Sequence, residues 1–354
     1  MTVTVRSFAK INLGLRIGAA RADGFHELLT VYQTIGLHDV IRVSVERGAS
    51  RGTKVEIRCA DPRVPKDESN TCYRIVERAM EALRARGRVV IEIEKRLPVQ
   101  GGLGGASANA VAALLGLERA LRKSLPSAER LRIAAEVGSD LPLFLVGGTV
   151  LGVGRGEQVY PLPDFPVMDC VVVTPKVGVS TPKAFADWDR VCGQGLKPRF
   201  QEELNAALKG RSSTEGSSTK AAKLTVLNTS DRMGELGRGL SAWLSGLYSG
   251  APSGIARGGR AENPLLWLVR AGIENDFERV VFPEYPELSE GKSALLRSGA
   301  KYASLSGSGS TLYGLFASRE AALRAAVRLG KQGWAAQATT TLPRRAYWKR
   351  VVAG

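Results

Sequence analysis

The sequence predicts an α+β protein of two domains. The chain has 354 residues, and because domains of about 150 residues are usual, two domains with a sizeable core in each are expected. Hydrophobic content of 44% and charged content of 24% argue against a disordered or fibrous chain. Strand and helix patterns occur together without a regular βαβ repeat, which favours an α+β layer over a doubly wound parallel sheet.

The first part of the chain carries both kinds of pattern. Alternating apolar residues predict strands at 3–5, 41–45, 55–59 and 89–93. Helical spacing predicts helices over 73–83 and 111–121, and a third begins at Ser127, whose hydroxyl is expected to cap its free amides, and ends at Gly138. Strands are expected again at 149–153 and 170–174, and Ser180 or Thr181 before Pro182 is typical of a helix start.

The second part contains a stretch unlike the rest, residues 209–260. Its 52 residues include 10 Gly, 9 Ser and 8 Lys+Arg against 3 Asp+Glu, a composition that predicts a flexible surface insertion. One apolar stripe inside it favours a helix packed on the host domain over a partner-binding or membrane-surface helix; it comprises Met233, Leu236, Leu240, Trp243, Leu244 and Leu247. Beyond it, we expect helices over 263–280, 288–296 and 319–329, a strand–glycine loop–strand unit over 302–316 and a last strand over 334–341.

Charge and cysteine usage narrow the function classes. The chain has 50 Lys+Arg and 34 Asp+Glu, a net charge of +16, which suits either a nucleic-acid binder or an enzyme of phosphorylated substrates. No apolar run approaches the length of a membrane span, and the start of the sequence lacks a leader pattern, so we expect a cytoplasmic protein. Neither a zinc site nor a disulfide framework is expected, because the cysteines are widely spread, at positions 59, 72, 170 and 192.

The segment 97–110, between a predicted strand and a predicted helix, is the most informative part of the sequence. It holds four glycines within five residues, at 101, 102, 104 and 105. Glycines let several backbone amides turn towards a ligand, and the following helix adds partial positive charge, so the segment predicts polyphosphate binding rather than only a tight turn. It matches neither the Walker phosphate loop nor the dinucleotide fingerprint.

This loop, from Pro98 to Ala108, resembles the P-x-x-x-G-L-G-S/G-S/G-S-A loop of the GHMP kinases, which act on galactose, homoserine, mevalonate and phosphomevalonate. Within that superfamily, further segments resemble the diphosphocytidyl-methylerythritol kinases; they lie at 9–13, 21–28, 94–98, 138–142, 275–278 and 305–309. The resemblance implies the GHMP-kinase fold. An ATP-binding domain like ribosomal protein S5 would span 1–160, and an α/β-sandwich domain would span 161–354 with the insertion at about 209–260.

The resemblance also implies the reaction, which is transfer of the γ-phosphoryl group of ATP to cytidine-diphospho-methylerythritol. The reaction is a step of the non-mevalonate route to isoprenoid precursors. The acceptor is the 2-hydroxyl, a tertiary alcohol. Such an alcohol is a poor nucleophile, so the site needs a base and a cation. Asp140, just beyond a helix, is the candidate base, and Lys10, just beyond the first strand, is the candidate cation. A contact between them would keep the carboxylate ionised. Mg²⁺ would neutralise phosphate charge, with the Ser107 hydroxyl as a candidate ligand.

The same resemblance assigns residues to the two substrates. For ATP they are Lys95, Pro98, Gly101, Gly102, Leu103, Gly104, Gly105, Ala106, Ser107 and Asn109, with Asp67 and Asn70, like Lys95, on the adenine side. On the acceptor side, Phe25 would stack on cytosine, His26 would bond its edge, and Phe185, after Thr181, would close its other face. Asn12 would hold the methylerythritol part or the diphosphate.

The chain departs from the family pattern at a few positions. Ala106 and Ala108 replace the usual Gly and Ser, Gln100 replaces a Gly, and Phe25 replaces a Tyr. Two alternatives stay open: a kinase of homoserine or a mevalonate derivative, which carries no base to stack, and, ranked behind it, a nucleic-acid binder. The expected partners are ATP and the acceptor, with no membrane, as a monomer or a homodimer.

Overall fold

Two β-sheets form the framework of the fold. The computed structural model describes residues 1–46, 52–193 and 274–351. The first sheet contains β1 (Thr2–Ala20), β2 (His26–Glu46), β3 (Thr53–Cys59), β4 (Gly87–Glu94), β5 (Thr149–Val153) and β6 (Gln158–Pro161). The second contains β7 (Asp169–Thr174), β8 (Tyr302–Leu305), β9 (Leu312–Phe316) and β10 (Ala335–Thr340). The predicted insertion, its apolar helix and residues 263–273 lie outside the described residues.

The helices cover these sheets. They are α1 (Thr71–Ala82), α2 (Gly105–Leu121), α3 (Ser127–Val137), α4 (Leu141–Val146), α5 (Thr181–Gly193), α6 (Glu278–Glu284), α7 (Pro286–Arg297), α8 (Arg319–Lys331) and α9 (Arg344–Val351). This mixture of helices with largely antiparallel strands confirms the predicted α+β class, since only β3 and β4 pair in parallel among the described strands. Within the same ranges, no helix has the length and apolar character that crossing a bilayer requires.

The hairpin of β1 and β2 is the longest pairing of the fold. β1 lies antiparallel along nearly all of β2, and β4 and β5 pair with the other edge of β2 at its two ends. The sequence pattern marked the first strand only at 3–5, and Lys10 was expected beyond it. This prediction was wrong: β1 runs on to Ala20 and contains Lys10. Its middle is buried on both faces, so it shows no alternation of apolar and polar residues.

Three apolar clusters account for this burial. The first packs α1 and α2 on one face of the first sheet, with Met80, Leu114 and Ile41 at its centre. A second cluster fills the space between the sheets, where Ile11 of β1 and Tyr313 of β9 are both inaccessible to solvent. The third packs α5 to α8 on the far face of the second sheet. The middle cluster holds β1 against both sheets, and this places its polar side chains between them.

Several local predictions also need correction. Ser127 does not cap α3, because Pro126 stands at the capping position and no side chain bonds the free amides there. Residues 274–277 were expected to be helical, yet Asn275 bridges to Leu15 and the helix begins only at Glu278. The helices α4 and α9 and the strand β6 were not predicted; all three are short, four to eight residues, and show too little periodicity for a sequence pattern.

We expect the substitution Gly116→Ala to destabilise the protein. A Cβ at this position in α2 would lie 2.7 Å from Cγ2 of Val43 on β2. Overpacking of about 1–3 kcal/mol then outweighs the gain of about 1 kcal/mol in helix propensity. The matched control is Gly330→Ala on α8, where a Cβ would meet nothing within 4 Å. Thermal unfolding of both variants checks this: a midpoint at or above that of the wild type for Gly116→Ala contradicts the packing argument.

Candidate active site

The glycine loop between β4 and α2 is held against a second glycine-rich turn, residues 306–310 of the strand unit β8–β9. Gly102 and Gly104 have φ of +76° and +68°, conformations that side chains rarely adopt. At Gly102 a Cβ would also lie 2.1 Å from the carbonyl oxygen of Ser306. The Ser306 hydroxyl donates to the Gly102 carbonyl oxygen at 2.9 Å, and the Lys10 amide donates to that of Leu103 at 3.0 Å. Glycine is therefore required for close approach as well as for the turn.

Two cavities of similar size lie on either side of this loop. We call the first the loop cavity; it measures about 350 Å³ and is bounded by the loop, the start of α1 and the segment before it. The second, the hairpin cavity, measures about 370 Å³ and lies over the β1–β2 hairpin and the start of α5. Gly102, Gly104 and Ser107 line both cavities. Two ligands bound in them would meet at this short stretch of backbone.

Most of the residues predicted to contact ATP line the loop cavity. They are Asn70, Lys95, Pro98, Gly101, Gly102, Leu103, Gly104, Gly105, Ala106, Ser107 and Asn109. Asp67 does not line it; its carboxylate accepts hydrogen bonds from the amide and hydroxyl of Ser69, which lower the pKa of Asp67. Among the described lining residues the only charged side chains are those of Arg63 and Lys95. The loop cavity therefore suits an anionic ligand.

A buried carboxylate that the sequence analysis missed, that of Asp39, organises the entrance of the loop. Asp39 of β2 is completely buried and accepts four hydrogen bonds. Its donors are Lys95 Nζ at 2.5 Å, the amides of Arg96 and Leu97 at 2.7 Å each, and Asn109 Nδ2 at 2.9 Å. One carboxylate thus fixes the strand end, the start of the loop and the first turns of α2.

The side-chain oxygen of Asn109 indicates that a ligand binds in this cavity. Asn109 Oδ1 is buried and has no hydrogen-bond partner among the described residues. A buried acceptor without a partner costs free energy, about 1–3 kcal/mol, unless a ligand or water donates to it. Because Asn109 lines the loop cavity, a bound group with an N–H or O–H donor would satisfy it, as a nucleotide can.

Lys10 and Asp140 meet where the two cavities join. Lys10 is 3% exposed, and its Nζ donates to Asn12 Oδ1 at 2.7 Å and to the Gly102 carbonyl oxygen at 3.0 Å. The same Nζ lies 3.5 Å from Asp140 Oδ2. Asp140 lies just beyond the end of α3, as predicted, and directly before α4, which was not predicted. A cation, a carboxylate and the glycine loop therefore share one corner of the hairpin cavity.

Tyr32 of β2, also missed from the sequence, completes this corner. Its phenolic hydroxyl donates to Asp140 Oδ1 at 3.1 Å, and Lys10 Nζ lies 5.6 Å from the centre of its ring. Burial, and then the negative charge of Asp140, raise the pKa of Tyr32 well above its ordinary value. The phenol consequently keeps its proton and remains a hydrogen-bond donor at neutral pH.

The aromatic residues predicted for the acceptor line the other end of the hairpin cavity. Phe25 is half exposed, and the guanidinium carbon of Arg155 lies 4.8 Å from the centre of its ring. The rings of His26 and Phe185 stack on each other, 5.0 Å apart and 12° from parallel. Phe185 was expected to close the free face of a base opposite Phe25, whereas here it covers His26. The reason is that His26, at the start of β2, faces α5, the helix that carries Phe185.

Polar contacts fix several side chains along the hairpin cavity. His26 Nε2 lies 2.7 Å from Asp189 Oδ1 on α5, and the Thr181 and Ser308 hydroxyls are 2.7 Å apart. Asn12 Nδ2 donates to Thr30 Oγ1 at 2.8 Å while its Oδ1 accepts from Lys10. Thr181 and Asn12, the other two residues expected on the acceptor side, both line the cavity.

A weak signal existed for two of the missed residues. Asp39 interrupts an apolar strand with a charge, and a charge in such a place is usually buried with partners. Arg155 lies between two glycines, at 154 and 156, in a turn. Tyr32 carries no such mark, because an aromatic residue in a strand is ordinary.

Known proteins resemble this chain in sequence. The sequence matches the GHMP kinases N terminal domain over residues 70–148 and the GHMP kinases C terminal domain over residues 265–335. It is 35% identical, over 98% of its length and 92% of the relative's, to a 4-diphosphocytidyl-2-C-methyl-D-erythritol kinase of Solibacter usitatus. A protein of the same name from Acaryochloris marina is 33% identical over 92% of this chain and 91% of its own length.

Solved structures share the fold. A crystal structure of 4-(cytidine 5'-diphospho)-2C-methyl-D-erythritol kinase superposes with a TM-score of 0.64 at 26% identity, covering 96% of this chain and 98% of that one. A homoserine kinase from Cytophaga hutchinsonii, at 18% identity, superposes with the same TM-score of 0.64, covers 97% of this chain and 95% of its own, and supports the fold alone. The chain therefore belongs to the 4-diphosphocytidyl-2-C-methyl-D-erythritol kinase family of the GHMP kinases.

Proposed function

We propose that this protein transfers the γ-phosphoryl group of ATP to the 2-hydroxyl of 4-diphosphocytidyl-2-C-methyl-D-erythritol, giving the 2-phosphate, a step in the non-mevalonate synthesis of isoprenoid precursors. One observation carries the proposal. Lys10 Nζ lies 3.5 Å from Asp140 Oδ2 and 3.0 Å from the Gly102 carbonyl oxygen, at the backbone shared by the two cavities. The names of the family members supply the identity of the acceptor.

Asp140 is the base in this proposal. Its carboxylate accepts the proton of the 2-hydroxyl while that oxygen forms its bond to the γ-phosphorus, and the bond from the γ-phosphorus to the β,γ-bridging oxygen breaks to release ADP. Lys10 stabilises the negative charge that develops on the attacking oxygen. The exposure of the two side chains suits these roles: that of Asp140 is 32% exposed and can be reached, whereas that of Lys10 is 4% exposed and acts at short range.

The loop cavity is the site that we assign to ATP. Its glycine backbone would hold the phosphates, Lys95 and Asn70 would lie on the adenine side, and the unsatisfied Oδ1 of Asn109 would accept a hydrogen bond from the nucleotide. The role of Asp67 on the adenine side stays a prediction, since Asp67 does not line the cavity. No group of three or more His, Cys, Asp or Glu side chains that could hold a metal is found within the described ranges. On the family resemblance, we assign Mg²⁺ to the Ser107 hydroxyl together with the phosphates, where it would neutralise their charge.

The hairpin cavity is the site that we assign to the acceptor. Phe25 offers a half-exposed ring on which cytosine would stack, and His26 would form a hydrogen bond to the edge of the cytosine ring. With Phe185 stacked on His26, the two rings would form one wall of the base site. Thr181 and Asn12 also line the hairpin cavity and would bind the diphosphate and the methylerythritol part.

The division of the chain is also a proposal. We place the ATP-binding domain at 1–160 and the second domain at 161–354, in accord with the two family matches and with the position of β6 at the end of the first sheet. We propose that the protein acts in the cytoplasm, where ATP is available. Its state as a monomer or a homodimer stays open.

We expect Asp140→Asn and Lys10→Met each to lower kcat by about 10²–10⁴-fold, because each variant removes the proton acceptor or the charge beside it. The matched control is the pair Lys183 and Asp187 on α5, which lines neither cavity and whose charged atoms lie 2.9 Å apart. The variants Lys183→Met and Asp187→Asn should keep the wild-type rate. ATP turnover with purified protein and the cytidine acceptor measures this. An unchanged rate in both site variants, or no turnover by the wild type, rejects the proposed reaction.

Phe25→Ala should weaken the binding of cytidine diphosphate by about tenfold or more, because stacking on a base contributes about 1–3 kcal/mol. His26→Ala should weaken it by about tenfold, because it removes a hydrogen bond to the edge of the base. The KM for ATP should stay the same, since neither residue lines the loop cavity. His38→Ala, at the other histidine of the chain, is the control. Calorimetric titration with cytidine and uridine diphosphates, in the presence of saturating ADP to fill the loop cavity, tests the acceptor. Equal affinity of the site for both would favour an acceptor without a base, such as homoserine or a mevalonate derivative.

Asp39→Asn should raise the KM for ATP by about tenfold while kcat and the acceptor KM change little, because the loss of the carboxylate releases Lys95 and the loop from one anchor. Breaking a buried ion pair also costs stability, about 3–5 kcal/mol, so the melting temperature is recorded beside the kinetics. If Asp39 acts through Lys95, the double variant with Lys95→Met binds ATP no worse than Lys95→Met alone. Full additivity of the two effects would contradict this role.

A further inference from the structure

We infer that Tyr32 is a positioning residue for the base Asp140, which its phenol holds in the orientation that presents Oδ2 to Lys10 and to the acceptor hydroxyl. This inference rests on the proposed function, since Asp140 is the base only in that reaction. The hydroxyl of Tyr32 lies 3.1 Å from Asp140 Oδ1. Lys10 Nζ lies 3.5 Å from the other oxygen, Oδ2. The two carboxylate oxygens are thus held from two different strands.

The Asp140 carboxylate has few other constraints. Asp140 stands at the capping position of α4, but its side chain makes no capping hydrogen bond. Its contact with Lys10 is an ion pair at 3.5 Å, longer than a well-formed hydrogen bond. Within the described part of the chain, Tyr32 is the one residue that donates a hydrogen bond to this carboxylate. A partly exposed carboxylate held by charge alone would rotate, because an ion pair prescribes distance more than direction.

Tyr32 itself is held rigidly. It is 2% exposed, and its backbone pairs with Asn12 of β1 and with Val150 of β5. Two glycines make room for its side chain. A Cβ at Gly152 would lie 2.4 Å from the Cε2 atom of the ring, and a Cβ at Gly156 would lie 2.5 Å from the hydroxyl oxygen. The phenol therefore has one place to lie, and that place is against Asp140.

The charges around the carboxylate agree with a donor role for the phenol. Lys10 faces Asp140 from β1, Tyr32 from β2, and Arg155, which lines the same cavity with His26, belongs to the β5–β6 turn. Glu157 of that turn acts on Tyr32 by its negative charge, in the same sense as Asp140. Two carboxylates near a buried phenol disfavour its ionisation. Tyr32 thus donates its proton in the hydrogen bond and does not compete with Asp140 for the substrate proton.

The test begins with Tyr32→Phe, which removes only the hydroxyl. We expect kcat to fall about tenfold, because a hydrogen bond to a charged group is lost, while both KM values stay within about twofold of the wild type. In a crystal structure of the variant, the Asp140 carboxylate should leave its wild-type orientation. Tyr160→Phe, at a tyrosine that is 53% exposed, is the control for the substitution itself and should leave kcat unchanged.

A second variant reaches the same hydrogen bond without touching Tyr32. Gly156→Ala should displace the phenol and reproduce the fall in kcat, and combining it with Tyr32→Phe should add little, since both remove one interaction. Gly154→Ala is the matched control. Gly154 also has positive φ, +69° against +96° at Gly156, but its Cβ would meet the Glu157 carboxylate at 3.2 Å and not Tyr32. It should keep kcat within about twofold of the wild type while sharing the backbone strain.

The outcomes separate the inference from the proposed function. An unchanged kcat in Tyr32→Phe overturns the inference, as does a fall in kcat that is matched by a rise in both KM values and a lower melting temperature. If the wild type does not phosphorylate the cytidine acceptor, the proposed function fails. The crystal structures of the wild type and of Tyr32→Phe then test the inference about Tyr32 by themselves. An Asp140 carboxylate in the same place with and without the Tyr32 hydroxyl shows that the phenol does not position it.

Discussion

The site depends on one constraint: a lysine ammonium is buried between two sheets and needs polar partners. Lys10 is 3% exposed, and a buried charge is stable only where several polar groups surround it. Its partners are Asn12 on the same strand, a carbonyl oxygen of the glycine loop and the carboxylate of Asp140. Each comes from a different part of the molecule. The electrostatic requirement of one side chain thus joins the hairpin, the loop and the base, and a fold that satisfied it would bring the remaining groups together.

Much of the fold was predictable where the sequence pattern is local. The strand at 149–153 and the helix start at Thr181 were found correctly, because alternation and a Ser/Thr-Pro pair depend on neighbouring residues only. β1 was found only at its beginning. From Ala9 to Ile17 it is buried on both faces, so its polar residues, Lys10 among them, do not follow the alternation that marks a strand with one wet face. The error concerned the most important strand because that strand lies between two layers.

The candidate site divides in the same way. The glycine loop could be located from the sequence because its chemistry lies in consecutive residues, and the roles of Lys10 and Asp140 followed from a family resemblance. The residues that were missed contact partners far away in the chain. Asp39 bonds to Asn109, Tyr32 bonds to Asp140, and Arg155 lies over the ring of Phe25. The local sequence around these residues gives no indication of the partners. Contacts of this kind become visible only when the strands are assembled.

Gly102, Gly104 and Ser107 line both cavities, so in the proposed reaction the γ-phosphoryl group and the acceptor hydroxyl would meet across this short stretch of chain. Asp140 acts there as the base and forms no bond to phosphorus. The group therefore moves once, in line, from one oxygen to the other. A single displacement of this kind inverts the configuration at phosphorus, so the shared boundary of the two cavities sets the stereochemical course.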